Sequence, residues 1–189
     1  PNNGCSADFI GCRDALASIY TFELKRTTFM KIREAVKEDF EQIWIIFQHI
    51  VSAGETYSYP VETSKEEAFQ IWMEQPHKTF VCVEQQHIFG TYYLKPNNPG
   101  QGSHVCNCGY MVSPDARGKG LATMMCEHSQ KEAKELDYKA MQFNLVVVSN
   151  EQAIRLWTRL GFETVGRITK AFLHPKLGYV DALLMYKWL

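Results

Sequence analysis

From Met30 onward, the apolar positions switch repeatedly between the period of a strand and that of a helix. Met30–Ala35 reads as a short strand. Phe40, Ile43, Trp44, Phe47, Ile50 and Val51 then recur at helical offsets on one face. Ser64, with Glu67 three residues on, has the spacing of a capping box. It predicts a second helix that buries Ala68, Ile71 and Trp72 and stops near Pro76. Thr79–Glu84 and Ile88–Lys95 flank Gln85-Gln86-His87 and predict a hairpin, and Asn97–Gly102 predicts a loop. His104–Val112 is the next strand, followed by a helix near Gly118–Glu135. Met141–Val148 is nearly all apolar, as expected of a strand buried on both faces. Asn150 caps a helix whose Ala153, Leu156, Trp157 and Leu160 form one stripe, and Gly161 ends it. Phe162–Ile168 and Val180–Trp188 are closing strands.

The order β-α-α-β-β-β-α-β-α-β-β predicts an α/β (α+β) fold, a mixed sheet with helices on both faces. Three consecutive strands in the middle exclude a Rossmann alternation. Residues 1–29 carry no sustained period and read as an N-terminal extension, Met30 being an alternative start. A short helix around Asp14–Phe22, packed on the domain, is the competing reading. Residues 30–189 form one domain, since 189 residues leave no room for two full cores.

Composition narrows the class. With 46% hydrophobic and 22% charged residues the chain is globular. Twenty basic residues against twenty-one acidic ones lack the basic excess of a non-specific nucleic-acid binder, so no nucleic-acid partner is expected. No apolar run approaches the roughly 18 residues of a membrane span; Ile43–Phe47 is cut by Gln48 and His49. The six cysteines (Cys5, Cys12, Cys82, Cys106, Cys108, Cys126), without a visible secretory signal, predict free thiols in a reducing cytoplasm.

The most specific chemistry lies in Val112-Ser113-Pro114-Asp115-Ala116-Arg117-Gly118-Lys119-Gly120-Leu121-Ala122, between a strand and a helix. Gly118 and Gly120 let the backbone approach an anion, and the helix start supplies unpaired N–H groups and a positive dipole end. The expected ligand is a pyrophosphate. A P-loop is excluded by the missing Gly-Lys-Ser/Thr, and a dinucleotide fingerprint by the missing third glycine.

Arg117-x-x-Gly120-x-Ala122 after Val112-x-Pro114 resembles the acetyl-CoA loop of the GCN5-related N-acetyltransferase (GNAT) superfamily. Asn150-x-x-Ala153 with Trp157 and Leu160-Gly161-Phe162 is similar to that superfamily's second motif. The resemblance runs from Met30 to the C-terminus and implies a mostly antiparallel, twisted sheet. It implies acetyl-CoA bound by Met111, Val112, Arg117, Gly118, Lys119, Gly120, Leu121 and Ala122, with Asn150 contacting the pantetheine arm. Two departures stand out. Trp157 occupies the place of a Tyr general acid, and an indole N–H cannot supply a proton at any useful pH. The fourth strand, His104-Val105-Cys106-Asn107-Cys108-Gly109-Tyr110, lacks the frequent Glu base.

Gly90–Asn97, Ser103-His104-x-Cys106-Asn107 and Phe143–Asn150 further resemble acetyltransferases that act on proline analogues such as L-azetidine-2-carboxylate. That likeness implies substrate and catalytic roles for Asn107 and Asn144. A buried amide in an apolar strand costs roughly 1–3 kcal/mol unless partnered, so two on neighbouring strands suggest one shared polar site. Structural amides at a strand irregularity are the alternative. His104 is a candidate general base. Glu55 and Tyr57 follow the first helix, where acceptors enter in this superfamily, and with Trp72 and Phe172 would wall an acceptor pocket. His104, Cys106 and Cys108 alternate on one strand without zinc spacing, so no metal is expected. The resulting expectation is acetyl transfer to a small-molecule amine, by direct attack in a ternary complex. A protein lysine or N-terminus as acceptor, and a non-catalytic CoA sensor, are the alternatives; a homodimer is compatible with the sequence.

Overall fold

The computed structural model describes Pro1 and residues 30–189. The predicted extension, the alternative helix around Asp14–Phe22, Cys5 and Cys12 lie outside the described residues. One seven-stranded sheet runs in the order β1-β2-β3-β4-β5-β7-β6. Its strands are β1 (Lys31–Glu34), β2 (Lys78–Glu84), β3 (His87–Pro96), β4 (Val105–Val112), β5 (Ala140–Val147), β6 (Glu163–His174) and β7 (Gly178–Trp188). Every neighbouring pair is antiparallel except β4 and β5. Among the described residues the α-helices are α1 (Phe40–Ser52), α2 (Lys65–Phe69), α3 (Leu121–Glu135) and α4 (Glu151–Arg159). The element order is the expected one.

Helices cover both faces because each presents one apolar stripe. Ile43, Phe47 and Val51 of α1, with Ala68 and Trp72, bury against Val81, Tyr93 and Met111 of the sheet. On the opposite face, Leu121, Met125 and Cys126 of α3 and Trp157 of α4 pack on Tyr92, Cys108, Met141 and Phe143. Each fully buried large side chain contributes about 1.5–3 kcal/mol. Among the described residues, no helix is long and apolar enough to cross a membrane.

Ser64 caps α2 through the expected box: its Oγ accepts from the Glu67 amide at 3.2 Å, and Glu67 Oε2 accepts from the Ser64 amide at 2.8 Å. The helix then widens into a π turn over Gln70–Glu74, closed by Gln75 N–H to the Gln70 carbonyl. The wider turn buries Trp72 fully and leaves Ile71 half-buried, where a regular stripe had placed both inside. Two further expectations need correcting. Strand β5 is not buried on both faces throughout, because Asn144 is exposed. Its hydrogen bonding to β4 ends at Gln142, and its register with β7 shifts between Phe143 and Val146. Strand β6 runs on to His174, six residues past the expected end. Two register shifts and a Lys170 at φ +54°, held by its amide's bond to Asp181 Oδ1, break the alternation there.

Candidate active site

The parallel β4–β5 ladder has three rungs, Val105↔Ala140, Cys106↔Met141 and Asn107↔Gln142, and beyond them the strands part. Asn107 fixes the last rung. Its Nδ2 donates to the Gln142 carbonyl at 3.0 Å, and its Oδ1 accepts from the Tyr93 hydroxyl at 2.9 Å. Tyr93 reaches it by lying across Gly109, where a Cβ would come within 2.7 Å of the ring. The Asn107 amide is therefore buried and bonded at both ends.

Past this rung, β4 residues alternate in backbone direction. Asn97, just past β3, donates its N–H to the Val105 carbonyl, and Ser113, just past β4, donates to the Phe89 carbonyl, so the odd-numbered residues of β4 serve the β3 side. Cys108, Tyr110 and Val112 then turn their amides toward β5, into the opening. The Tyr110 carbonyl on that side accepts from Tyr57 Oη at 2.9 Å. This opening can hold an extended chain between two strand edges.

The glycine loop lies at its mouth. Ser113 N–H is tied to Phe89 O, a short turn over Pro114–Ala116 follows, and Gly118 and Gly120 both adopt φ +77°. A Cβ at either glycine would meet nothing within 4 Å, so both border open space. Among the described residues, neither glycine amide donates to a protein acceptor, and the first turn of α3 adds further free N–H groups. Arg117 and Lys119 are exposed; Lys119 Nζ sits 5.5 Å from the Phe89 ring centre. Leu121 is buried and anchors the helix start, Ala122 is half-buried, and Met111 and Val112 lead into the loop from β4. Such an array of amides and a helix N-terminus suits a pyrophosphate. Asn150 stands at the mouth end of β5, where its Oδ1 caps α4 by accepting from Ala153 N–H at 3.3 Å.

The face carrying α1 and α2 forms the other approach to the opening. Tyr57 stacks with Tyr59 at 5.6 Å and meets Trp72 edge-on at 6.1 Å. Burial holds the Tyr57, Tyr93 and Tyr110 phenols well above their usual range, so all three are neutral donors. The tip between β6 and β7 crosses to this side. Pro175 lies beside Gly54, and Lys176 Nζ bonds Glu55 Oε1 at 2.7 Å. That ion pair lowers the Glu55 carboxyl below its ordinary value. The tip and the loop after α1 thus form a strap over the open end of the sheet.

Several expected residues fall elsewhere. His104 precedes β4, exposed at the paired end of the ladder, its Nδ1 3.0 Å from the Gln101 carbonyl and its ring 6.3 Å from that of Trp188. It stands roughly 26 Å of strand from Val112, on the far side of the last rung. Asn144 is exposed and does not touch Asn107. Gln142 links them: its backbone carbonyl accepts from Asn107, and its Nε2 donates to Asn144 Oδ1 at 2.8 Å. Asn144 Nδ2 in turn donates to Asn97 Oδ1 at 2.7 Å. Trp72 is sealed in the core with Nε1 bonded to Thr91 Oγ1, so it walls no pocket. Phe172 is buried in β6 two residues before His174, paired with Val180. Trp157 packs between Tyr110 (5.0 Å) and Phe143 (5.1 Å) in the core behind the opening. Cys82, Cys106, Cys108 and Cys126 are free and buried; burial pushes the Cys82 thiol up to about 11 and Cys106 to about 12. Among the described residues, no group of three or more His, Cys, Asp or Glu side chains could hold a metal ion.

Gln142, Tyr93, Asn97 and the β6–β7 half of the strap were not among the expected site residues, whereas Glu55 was. Gln142 and Tyr93 sat in plain apolar strands, and only the register reveals that they meet Asn107 and Asn144.

Comparison with known proteins agrees with this geometry. The sequence profile of the acetyltransferase (GNAT) family matches residues 32–162. The N-acetyltransferase aca1 of Schizosaccharomyces pombe is 32% identical over 153 residues, 71% of this chain and 72% of that protein. A GCN5-related N-acetyltransferase from Kribbella flavida superposes with a TM-score of 0.81 at 38% identity, covering 85% of this chain and 98% of its own. A phosphinothricin acetyltransferase from Sinorhizobium meliloti, solved in complex with acetyl-CoA, shares the fold with a TM-score of 0.74 at 21% identity, over 85% of this chain and 88% of its own.

Proposed function

The chain belongs to the acetyltransferase (GNAT) family and transfers an acetyl group from acetyl-CoA to an amine; we propose that this amine is that of a small molecule, an amino or imino acid. The strap carries the reading. An extended peptide needs an open trough across the acceptor face, whereas Lys176 on Glu55 and Pro175 on Gly54 bridge that face and favour a compact acceptor.

In this reading, the amides of Gly118 and Gly120 and the first turn of α3 hold the pyrophosphate, with Arg117 and Lys119 beside them. Acetyl-CoA supplies an activated thioester. The outward amides of β4 hold the pantetheine and polarise the acetyl carbonyl, and their fixed positions cost no reorganisation. The neutral amine attacks the carbonyl carbon, a C–N bond forms, the C–S bond breaks, and the thiolate takes a proton from solvent. Positioning two reactants side by side supplies much of the acceleration. Trp157, buried and without an ionisable proton, serves as packing beneath the opening. His104, set at the paired end, leaves the amine's proton to water. The buried free thiols accord with a reducing, cytoplasmic setting.

The test is a screen of small amines, amino acids and imino acids, including azetidine-2-carboxylate, with thiol release as readout and peptides with free N-termini as the rival arm. Turnover of amino or imino acids at low concentration is expected. Turnover of the peptides alone would replace the small-molecule reading with a protein acceptor. CoA binding without turnover of any amine would leave a sensor.

A further inference from the structure

His174 is the last residue of β6, paired with Gly178, on the same sheet face as Phe172. It stands two residues before Lys176, whose Nζ bonds Glu55 Oε1 at 2.7 Å, and next to Pro175, which lies beside Gly54. His174 is only 7% exposed, yet it is a polar ring in a segment otherwise closed by Phe172 and the strap. Its Nδ1 accepts the backbone N–H of Lys176 at 3.1 Å. A backbone amide can only donate, so Nδ1 carries no proton, and the neutral ring holds its proton on Nε2. Among the described residues, no acceptor takes that proton, while no buried side-chain nitrogen or oxygen is left sealed from solvent without a partner. The Nε2–H is thus an unpartnered donor, fixed by the Nδ1 bond and reachable from outside the protein at the tip. In this tautomer Nε2 offers no lone pair, so the ring cannot take the amine's proton.

We infer that His174 is an acceptor-binding residue, whose Nε2–H donates to a carboxylate or carbonyl oxygen carried beside the acceptor's amine. The inference rests on the small-molecule reading above and sharpens it. It assigns the acceptor a hydrogen-bond-accepting oxygen near the reacting nitrogen, and it gives the strap a reason to turn where it does. The Lys176 amide that closes the tip is the same group that sets the ring's tautomer. Glu55, across the strap, offers a negative charge to the amine end, so the two sides are complementary to a compact zwitterion.

Two variants separate binding from folding. His174→Asn keeps an acceptor oxygen at the Nδ1 position for the Lys176 amide and removes the Nε2 donor. His174→Gln places a donor near Nε2 and loses the bond to Lys176. Each would be assayed in the intact chain on pairs of acceptors that differ by one carboxylate, such as azetidine-2-carboxylate and azetidine. Wild type should prefer the carboxylate-bearing member. His174→Asn should raise the KM of that member by roughly 10–100-fold, as expected for a lost hydrogen bond to a charged group. The KM for acetyl-CoA, the melting temperature and turnover of the amine without a carboxylate should stay near wild type. His174→Gln should recover part of the preference despite a looser tip. Equal losses on both members of a pair, or a fall in acetyl-CoA affinity, would make His174 a structural cap and overturn the assignment. An unimpaired His174→Asn variant would overturn it while leaving the proposed function intact, and a wild type that prefers amines without a carboxylate would overturn both it and the amino- or imino-acid acceptor, leaving only a small-molecule amine. Wild type acting on peptides alone would remove that reading and this inference with it.

Discussion

In the proposed reading, residues 111–122 supply the donor side of the opening from one unbroken stretch: the end of β4, a turn, two left-handed glycines and the start of α3. The acceptor side is gathered from the loop after α1, from β3, β4 and β5, and from the β6–β7 tip. Glu55 and Lys176, which close it, are 121 residues apart. A pyrophosphate is met by backbone amides, whose geometry a short segment can encode by itself. An acceptor must be met by side chains in three dimensions, and those depend on sheet register. The two sides should therefore respond differently to substitution, steeply and locally on the donor side, gradually and with coupling on the acceptor side.

The largest expected effect follows from the donor side. Gly120 has φ +77° and faces open space, so Gly120→Glu strains the backbone and points a negative charge where phosphates belong. Affinity for acetyl-CoA by calorimetry should fall by about a thousandfold or more, since charge repulsion and a misplaced loop act together. The sheet should stay intact, because no side chain occupies that space. Near-normal affinity in a folded variant would show that the cradle lies elsewhere.

Next in size is Asn107, where the two sides meet. Asn107→Ala leaves the Tyr93 hydroxyl and the Gln142 carbonyl without their partner at the last rung. Unmet buried groups cost about 1–3 kcal/mol, so the melting temperature should drop and kcat/KM should fall roughly 10–100-fold. Asn144→Ala removes only exposed bonds to Gln142 and Asn97 and should cost less than about tenfold. The double variant should lose less than the product, because Gln142 couples the pair. Equal effects from the two single variants would contradict the burial difference between them.

These differences explain what the sequence could and could not convey. The conformation of the glycine loop was legible because Gly118, Gly120 and the helix start carry their own conformational requirement, and the Asn150 and Ser64 caps were legible for the same local reason. The strand order followed from element periods. The end of β6 was hidden because Lys170 and two bulges interrupt its alternation, and with it went the strap, Lys176 and His174. Asn144 looked buried because its strand is apolar, but only the parting of β4 from β5 decides what covers it. His104 shares a segment with Asn107, yet three residues along a strand separate an exposed end from the last rung.

A smaller effect is expected at Trp157. Its indole fills the space between Tyr110 and Phe143, with no proton to give. Trp157→Phe should keep turnover within about fivefold and lower stability by roughly 1–3 kcal/mol through lost packing. A loss beyond a thousandfold, with acetyl-CoA affinity intact, would give the indole a chemical role and move it from the core into the site.

The smallest effect belongs to the strap's ion pair, and it probes the acceptor side alone. Both partners are well solvated, so Lys176→Ala should leave the melting temperature unchanged. The KM for the acceptor should rise a few-fold while that for acetyl-CoA stays constant. Salt should separate the two enzymes: 0.5 M NaCl screens an exposed pair, raising the wild-type KM toward that of the variant and leaving the variant nearly unaffected. The sign of the pH response is also set. Lys176 holds the Glu55 carboxyl below its ordinary value, so the pair is fully formed above that value and is lost only as pH falls through the lowered one. Between pH 6 and 9, activity should then follow deprotonation of the acceptor amine, with no inflection from Glu55 in either enzyme. Reversing both charges, Glu55→Lys with Lys176→Glu, should restore the strap while inverting the charge offered to the amine. Such a double variant should close normally and still bind a zwitterion poorly. If it instead matched wild type, the pair would act only as a clasp, and Glu55 would take no part in receiving the acceptor.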